Sequence, residues 1–161
     1  MSQRAKVEEL VVRYEPDTGF ICVIYPPGRL EEAGAIYISE TITRYHLELG
    51  GGDPAFVLTD NRHLTGISPE ARKWFVEARN KEGAHNAKTY LAVFGGSFAT
   101  RTFGTLLMKA LMLVSDKLIA TVESDEETAR AWLSAQKRVY LDRKAKLASS
   151  QMTAGEGRAE S

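Results

Sequence analysis

Three polar side chains that could do chemistry, Asp60, Arg62 and His63, directly follow the apolar segment Ala55–Thr59. Together with Ser68 they supply the residue types of a Ser-His-Asp hydrolytic site. The sequence does not contain the Gly-x-Ser-x-Gly turn that presents the nucleophile in one large class of such sites. We therefore predict no catalytic residues. Asp60, Arg62 and His63 are interpreted as a polar loop or as contacts for a ligand or partner, because ligands of open α/β sheets bind where strands end.

Ser68 begins the sequence Ser-Pro-Glu-Ala-Arg, which is typical of the start of a helix. A serine hydroxyl accepts a hydrogen bond from a free backbone amide of the first turn, and proline and glutamate suit the positions that follow. The main interpretation of Ser68 is therefore an N-cap. The alternative is a phosphate acceptor, because a phosphate at a helix N-terminus would change the charge and shape of a docking surface.

A second loop, Gly95-Gly96-Ser97, precedes an apolar helix predicted over Phe98–Val114. The loop is interpreted as a tight turn, with anion binding by its backbone amides as the alternative. The helix is rich in Phe, Leu and Met and carries only two charged residues. Core packing accounts for much of this composition, but large apolar residues occur beyond a single stripe. We therefore predict that Phe98, Arg101 and Phe103 contact a partner subunit or an apolar ligand.

Metal ligands and disulfide partners are not apparent in the sequence. The three histidines, His46, His63 and His85, lie far apart, and Cys22 is the single cysteine. Because structural zinc sites and disulfides require several suitably spaced ligands or thiols, we predict no metal site, no cofactor and no internal disulfide. Cys22 lies in an apolar run and is interpreted as a small buried hydrophobic residue, which suits a reducing compartment.

The composition bounds the class of protein. The 161 residues are 43% apolar and 26% charged, which is ordinary for one folded domain. Lys plus Arg and Asp plus Glu both number 21, so no overall field attracts nucleic acid or anionic lipid. No N-terminal apolar segment resembles a secretory signal, and no run reaches the ~18 apolar residues of a membrane span. We therefore predict a cytoplasmic protein that binds no nucleic acid and does not span a membrane.

Apolar periodicity and turn residues predict the elements that position these side chains. Strands are predicted over Val7–Arg13, Gly19–Tyr25, Ala55–Thr59, Thr89–Phe94 and Lys117–Val122, and the first two form a hairpin. Helices are predicted over Glu31–Leu49, from Ser68 to Lys81-Glu82-Gly83, over Phe98–Val114, and from Ser124 as the N-cap of the last helix.

This order of elements predicts an α/β fold with a mixed, mostly parallel central sheet. The sheet opens with the N-terminal hairpin and is flanked by about four helices, because strands and helices alternate after the hairpin. A single domain is predicted over residues 1–148, including the C-terminal helix. Residues 149–161 contain few bulky apolar groups, so a disordered tail is predicted from Ser149.

Two sequence motifs resemble a known family. The strand Phe56–Asp60 ends in aspartate and is followed by the helix start Gly66–Ala71, an arrangement that resembles STAS domains. A strand with a glycine-rich end, Val93–Gly96, comes next. The closing segment Val122–Leu133 resembles the end of the SpoIIAA-like branch of that family, which is in turn similar to the smaller half of CRAL-TRIO lipid-carrier domains.

The resemblance covers roughly Phe20–Leu133. It implies a small non-enzymatic module that often self-associates and acts in signalling or anti-sigma regulation. In anti-anti-sigma STAS proteins, a serine at the start of the helix after the central strand is phosphorylated to switch partner binding. Ser68 stands at that position, but Ile67-Ser68-Pro69 replaces the Asp-Ser-Ser/Thr-Gly sequence of the family.

Two functional hypotheses follow from the sequence. The first is a regulatory or scaffolding module that binds another protein, in a partner switch of the anti-sigma type, and that forms a homo-oligomer. The second is a carrier of a small apolar ligand or lipid, with the helix Phe98–Val114 lining the pocket. An enzyme that uses Asp60 and His63 is the least favoured hypothesis.

Overall fold

The computed structural model describes residues 6–49, 52–80 and 88–156, with side chains as far as Met152. The strands are β1 (Val11–Glu15), β2 (Phe20–Ile24), β3 (Gly28–Leu30), β4 (Ala55–Asp60), β5 (Leu64–Ile67), β6 (Thr89–Phe94) and β7 (Leu118–Glu123). The α-helices are α1 (Glu32–Glu48), α2 (Pro69–Asn80), α3 (Phe98–Val114) and α4 (Glu126–Glu156), and a 3-10 turn at Val7–Glu9 precedes β1.

Five strands form one mixed sheet in the order β1-β2-β4-β6-β7. β1 and β2 pair antiparallel, and the remaining neighbours pair parallel. The predicted fold class, a mostly parallel sheet opened by an N-terminal hairpin and flanked by four helices, is confirmed. β4 lies at the centre of the sheet and every one of its residues is buried, as its nearly all-apolar sequence predicts.

The two faces of the sheet are covered by different helices. On one face Val23 and Val57 pack with residues of α1 and α2, and Leu118 packs with residues of α3. On the other face Phe56 packs with Leu133 of α4. This separation follows from the strand repeat, because successive side chains of a strand point to opposite faces.

The first predicted strand begins later than the sequence indicates. Residues 7–9 form a 3-10 turn in which the Glu9 N–H donates to the Lys6 carbonyl and the Leu10 N–H donates to the Val7 carbonyl, both at 3.1 Å. Because these amides bond locally, they are not available to a strand partner, and pairing begins at Val11.

A short parallel pair, β3 with β5, was missed by the sequence analysis. β2 ends at Ile24, just before Pro26 and Pro27, and the chain then resumes as β3. The two strands have three and four residues, which is too short to display a two-residue period. Their pairing buries Leu30 and Leu64, and the Ser68 N–H donates to the Leu30 carbonyl at 2.8 Å. The pair therefore fixes the position at which α2 begins.

The N-cap predicted at Ser124 is wrong by one residue. The Asp125 carboxylate accepts a hydrogen bond from the Thr128 N–H at 2.8 Å, so Asp125 caps α4. The Ser124 hydroxyl instead donates to the Asp125 carboxylate at 2.7 Å. An aspartate accepts this bond with a full negative charge, which also favours the positive end of the helix dipole.

The last helix also differs from the prediction over residues 149–156. α4 continues through Glu156, where the sequence predicts a disordered tail from Ser149. The segment contains no proline, and helix propagation adds one backbone hydrogen bond per residue without further nucleation. Every side chain from Leu141 to Met152 is exposed, so this part of α4 contributes no buried side chain to the core. Residues 157–161 of the predicted tail lie outside the described residues.

Two further predictions fall partly or wholly on other undescribed residues. The helix end predicted at Lys81-Glu82-Gly83 lies outside the described residues, within which α2 reaches Asn80. His85 lies in the same gap. Within the described ranges, no helix combines the length and apolar character needed to cross a membrane.

Candidate functional site

The polar loop after β4 is organised around one ion pair. The Arg62 guanidinium donates to both carboxylate oxygens of Asp60, with Nε–Oδ1 at 3.0 Å and Nη2–Oδ2 at 2.7 Å. The Arg62 backbone N–H also donates to Oδ1 at 3.0 Å. Burial alone would raise the pKa of Asp60, but these bonds from Arg62 hold it below its ordinary value. Asp60 therefore stays ionised and is occupied by Arg62.

The loop after β6 fits closely against this ion pair. The Arg62 guanidinium carbon lies 5.7 Å from the ring centroid of Phe94. Gly95 adopts φ +81°, and a side chain there would lie 2.5 Å from Arg62 Cγ and 3.1 Å from the Arg62 backbone nitrogen. Gly96 also has positive φ, and Ser97 caps α3 by accepting from the Thr100 N–H at 3.2 Å. The predicted tight turn is therefore present.

The remaining members of the predicted group are not assembled for nucleophilic chemistry. His63 is exposed, and its carbonyl accepts a hydrogen bond from the Gly28 N–H at 3.3 Å. Ser68 has 0% exposure, and its hydroxyl accepts from the Ala71 N–H at 3.1 Å. This geometry matches the N-cap interpretation. Phosphorylation of Ser68 stays a prediction, and it would require the start of α2 to open.

Replacing Ser68 with alanine is expected to lower the free energy of unfolding by about 1 kcal/mol, because it removes the cap from the Ala71 amide. Ser124→Ala is the matched control, because the Ser124 hydroxyl caps no backbone amide in the described structure, and it should change stability by less than about 0.5 kcal/mol. Urea unfolding of both variants measures the difference. An equal loss in the two variants would contradict the assignment of Ser68 as a cap.

The outer face of α3 carries a row of exposed apolar side chains. Phe98 is 79% exposed, Leu106 is 62% exposed and Leu113 is 88% exposed. Their spacing of eight and seven residues places them on one stripe along the helix. Arg101 is partly buried on the same helix, so of the predicted contact residues Phe98 lies most openly on the surface.

Phe103 faces the core rather than the exposed stripe. It is partly buried and packs with the core cluster of Leu107 and Leu111. The Arg72 guanidinium carbon lies 5.2 Å from its ring centroid. The structure therefore separates Phe98 and Phe103, which the sequence analysis grouped into one contact surface.

The inner side of α3 lines a cavity of about 130 Å³ between the sheet and the layer formed by α1, α2 and α3. Apolar side chains make up most of its wall, including Ile42, Val57, Phe75, Leu91 and Leu107. The sheet residues that line it are mostly buried, so the sheet side of the cavity is formed by the core of the protein.

Polar residues line the two ends of this cavity. Thr59 and Asn61 lie at the carboxyl end of β4, while Thr89 begins β6 near Arg79 and His46. Within the described part of the chain, the buried Asn61 Oδ1 and His46 Nδ1 atoms have no hydrogen-bond partner. The other ring nitrogen of His46, Nε2, lies 2.6 Å from the Asp53 carbonyl oxygen.

Sequence reasoning missed Arg79 and assessed His46 only as a metal ligand. The spacing of these two residues from the apolar residues of their helices could have indicated both. His46 falls four and eight residues after Ile42 and Ile38, and Arg79 falls four residues after Phe75. A titratable or charged residue at the core-facing position of a helix indicates a buried polar site.

Within the described ranges, no group of three or more His, Cys, Asp or Glu side chains is arranged to hold a metal ion. Cys22 is buried, and burial raises the pKa of its thiol to about 12.

The fold is similar to that of a solved structure of an uncharacterized protein of the DUF3478 family, which has a SpoIIAA-like fold and comes from Shewanella loihica PV-4. The similarity has a TM-score of 0.50 at 15% sequence identity and covers 77% of this chain and 91% of that chain. No protein-family model matches the sequence, and no curated protein matches it. The SpoIIAA-like fold inferred from the sequence motifs is therefore confirmed as a fold.

Proposed function

We propose that this chain is a non-enzymatic binding module that associates with a second copy of itself through the outer face of α3. The observation that carries the proposal is the exposed stripe of Phe98, Leu106 and Leu113. Such a row of large apolar side chains is typical of a surface that is covered by a partner. A regulatory or scaffolding role in the cytoplasm, of the partner-switch type, would build on this contact.

The properties of α3 favour a second copy as the occupant. α3 has no acidic residue, and its charged residues are Arg101 and Lys109. Lys109 follows Leu106 by three residues and precedes Leu113 by four, so it lies beside them on the apolar stripe. In a two-fold dimer the same patch covers itself, so the apolar side chains of the two copies can meet while each Lys109 lays its apolar stem along them and keeps its ammonium group in water. The 17 residues of α3 span about 26 Å, and Leu106 lies at the midpoint.

We also propose that the chain has no catalytic role. The Asp60 carboxylate is engaged by Arg62, and the buried Ser68 hydroxyl accepts a bond from the helix that it caps. A general base or nucleophile needs a group that can reach a substrate, and neither of these side chains is free to do so in this arrangement.

Leu106→Lys is expected to convert a dimer into a monomer, because two-fold symmetry would bring the two introduced ammonium groups close together in an apolar contact. Size-exclusion chromatography with light scattering, at protein concentrations of about 5 to 100 µM, measures the molar mass of the wild type and of the variant. Leu147→Lys is the matched control, since Leu147 has a similar exposure of 65% but lies on α4. Dissociation by Leu147→Lys alone would overturn the assignment to α3.

The cavity behind α3 favours a second candidate function, the binding of a small apolar ligand. α3 contributes Gly104, Leu107, Met108 and Leu111 to its wall, as the carrier hypothesis predicts. Pockets that take small molecules are mostly apolar with a few placed polar groups, and this wall has that character. The two functions use opposite sides of the same helix and can be tested independently.

A further inference from the structure

The cavity between the sheet and the layer of α1, α2 and α3 has a buried carboxamide in its wall. Asn61 is 8% exposed, and within the described part of the chain its Oδ1 atom accepts no hydrogen bond. The Asn61 backbone is fixed, because its N–H donates to the Phe94 carbonyl at 2.9 Å and its carbonyl accepts from the Leu64 N–H at 3.1 Å. A buried acceptor without a donor costs free energy, so this oxygen indicates a donor that the chain itself does not supply.

Asn61 lies at the end of the sheet where ligands of α/β folds bind. β2 and β4 pair in parallel, and Tyr25 follows the last paired residue of β2 as Asn61 follows that of β4. Thr59 precedes Asn61 by two residues on the same face of the sheet, and all three residues line the cavity. This edge is the carboxyl end of the parallel strands, at which open α/β sheets bind ligands.

The facing side of α3 leaves room for a ligand. Gly104 precedes Leu107 by three residues and Leu111 by seven, so it shares their core-facing side, and a Cβ there would meet no atom within 4 Å. The cavity volume of about 130 Å³ is close to that of the ~150 Å³ apolar cavity in which an engineered protein binds benzene. About four waters have the same volume, but a mostly apolar wall offers them few partners. One six-membered ring therefore suits this space better than water.

The cavity wall also limits the charge of the ligand. No described residue that lines it is an aspartate or glutamate, so a buried ammonium group would have no counter-ion. A carboxylate has no proton to donate, so it would leave the Asn61 Oδ1 atom unsatisfied. A neutral hydroxyl can donate to an amide oxygen and accept from an amide nitrogen, so it suits Asn61 in either orientation of the carboxamide.

We propose that the cavity binds a small neutral molecule with one hydroxyl group, which donates to Asn61 Oδ1 while the apolar body of the molecule fills the space between Gly104 and Leu107. The proposal rests on the second candidate function, ligand binding behind α3, and names the ligand class and the residue that anchors it. The bound hydroxyl supplies the donor that Asn61 lacks in the free chain.

Phenol, fluorobenzene and benzoate separate the hydroxyl from the apolar body and from charge. Phenol and fluorobenzene have nearly the same size, but only phenol can donate a hydrogen bond. Dissociation constants for the full chain are measured by ligand-observed NMR, which suits weak binding. Phenol is expected to bind about tenfold more tightly than fluorobenzene, because it alone makes the buried hydrogen bond. Benzoate is expected to bind more weakly than phenol.

Substitutions locate the bound hydroxyl. Asn61→Leu should reduce the preference for phenol over fluorobenzene to about one. It should not lower the urea midpoint of the ligand-free chain, because the Asn61 Oδ1 atom makes no hydrogen bond that leucine would lose. Asn80→Leu removes an exposed carboxamide from α2 and is the control, which should leave the preference unchanged. Gly104→Leu should weaken phenol and fluorobenzene alike, because its side chain enters the cavity.

The outcomes distinguish the proposal from the function on which it rests. Equal affinity of the wild type for phenol and fluorobenzene would overturn the hydroxyl assignment and leave the apolar-ligand function standing. Failure of both probes to bind would overturn that function together with the proposal, with water as the occupant of the cavity. Tighter binding of benzoate than of phenol would overturn the neutral head group.

Two outcomes bear on Asn61 itself. A lower urea midpoint for ligand-free Asn61→Leu would show that the carboxamide is already satisfied in the free chain, which contradicts its role as an anchor. A phenol preference that survives in Asn61→Leu but disappears in His46→Leu would place the hydroxyl at the opposite end of the cavity, where the buried His46 Nδ1 atom also has no partner among the described residues.

Discussion

Replacing Arg130 with methionine is expected to lower the free energy of unfolding by about 2 kcal/mol at pH 7. Arg130 of α4 binds the Glu15 carboxylate of β1 through two bonds, at 2.9 and 3.0 Å, and also donates to Glu126 at 2.8 Å. The hydrogen bond from Arg130 lowers the pKa of Glu15 from 4.5 to about 2. A pKa change of this size corresponds to about 3 kcal/mol of unfolding free energy. The partial exposure of Glu15 and Arg130 to solvent reduces this contribution.

The same pair makes the effect dependent on pH. Because the pKa of Glu15 is lower in the folded chain than in the unfolded chain, its contribution is complete above about pH 4.5. The contribution is lost as the pH falls from about 4.5 towards 2. The difference between wild type and Arg130→Met should therefore shrink over this range.

Urea unfolding at pH 7 and pH 3 measures the Arg130 effect. Arg138→Met, which removes an exposed guanidinium from the same helix, is the control and should change stability by less than about 0.5 kcal/mol. A loss in Arg130→Met that is the same at both pH values would show that packing, and not the ion pair with Glu15, carries the effect.

Gly95→Ala is expected to destabilise the chain by about 2 kcal/mol or more. An L-residue at φ +81° is strained by about 1 to 2 kcal/mol, and the new Cβ would also meet the Arg62 backbone at 3.1 and 3.2 Å. The Arg62 side chain can move aside, but its backbone is held by the bond to Asp60. The loss of stability therefore measures how tightly the loop after β4 and the loop after β6 pack against each other.

Gly104→Ala is the matched control for this substitution. Gly104 lies within α3, and a Cβ there meets nothing within 4 Å. Alanine should then stabilise the chain by up to about 1 kcal/mol through its higher helix propensity. Thermal unfolding of both variants measures whether Gly95→Ala lowers the stability and Gly104→Ala raises it. A neutral Gly95→Ala variant would contradict the strained turn.

The sequence predicted the long elements well because they carry a repeat that can be read over several turns or strands. The bounds of β6, Thr89–Phe94, and of α3, Phe98–Val114, are those predicted, and the central place of β4 follows from its apolar sequence. The β3–β5 pair was missed because neither strand is long enough to show a period.

The candidate site was predicted less well, for a physical reason. The loop residues Asp60 and Arg62 are close in sequence, so their proximity could be expected. Arg79 and Thr89 are ten residues apart, and their contact depends on how the end of α2 is placed at the start of β6. The separation of Phe98 from Phe103 depends on the rotation of α3 about its axis, which the sheet and α2 determine.

Disulfide cross-linking of Leu106→Cys tests the proposed α3 contact most directly. The native Cys22 is buried with a pKa of about 12, so an introduced cysteine is the reactive thiol. A two-fold contact centred on Leu106 brings the two introduced thiols together, within the short Cα separation that a disulfide requires. The account predicts a covalent dimer after mild oxidation, and a monomer for the control Leu147→Cys. A Leu106→Cys chain that stays monomeric, or a control that cross-links equally well, would contradict it.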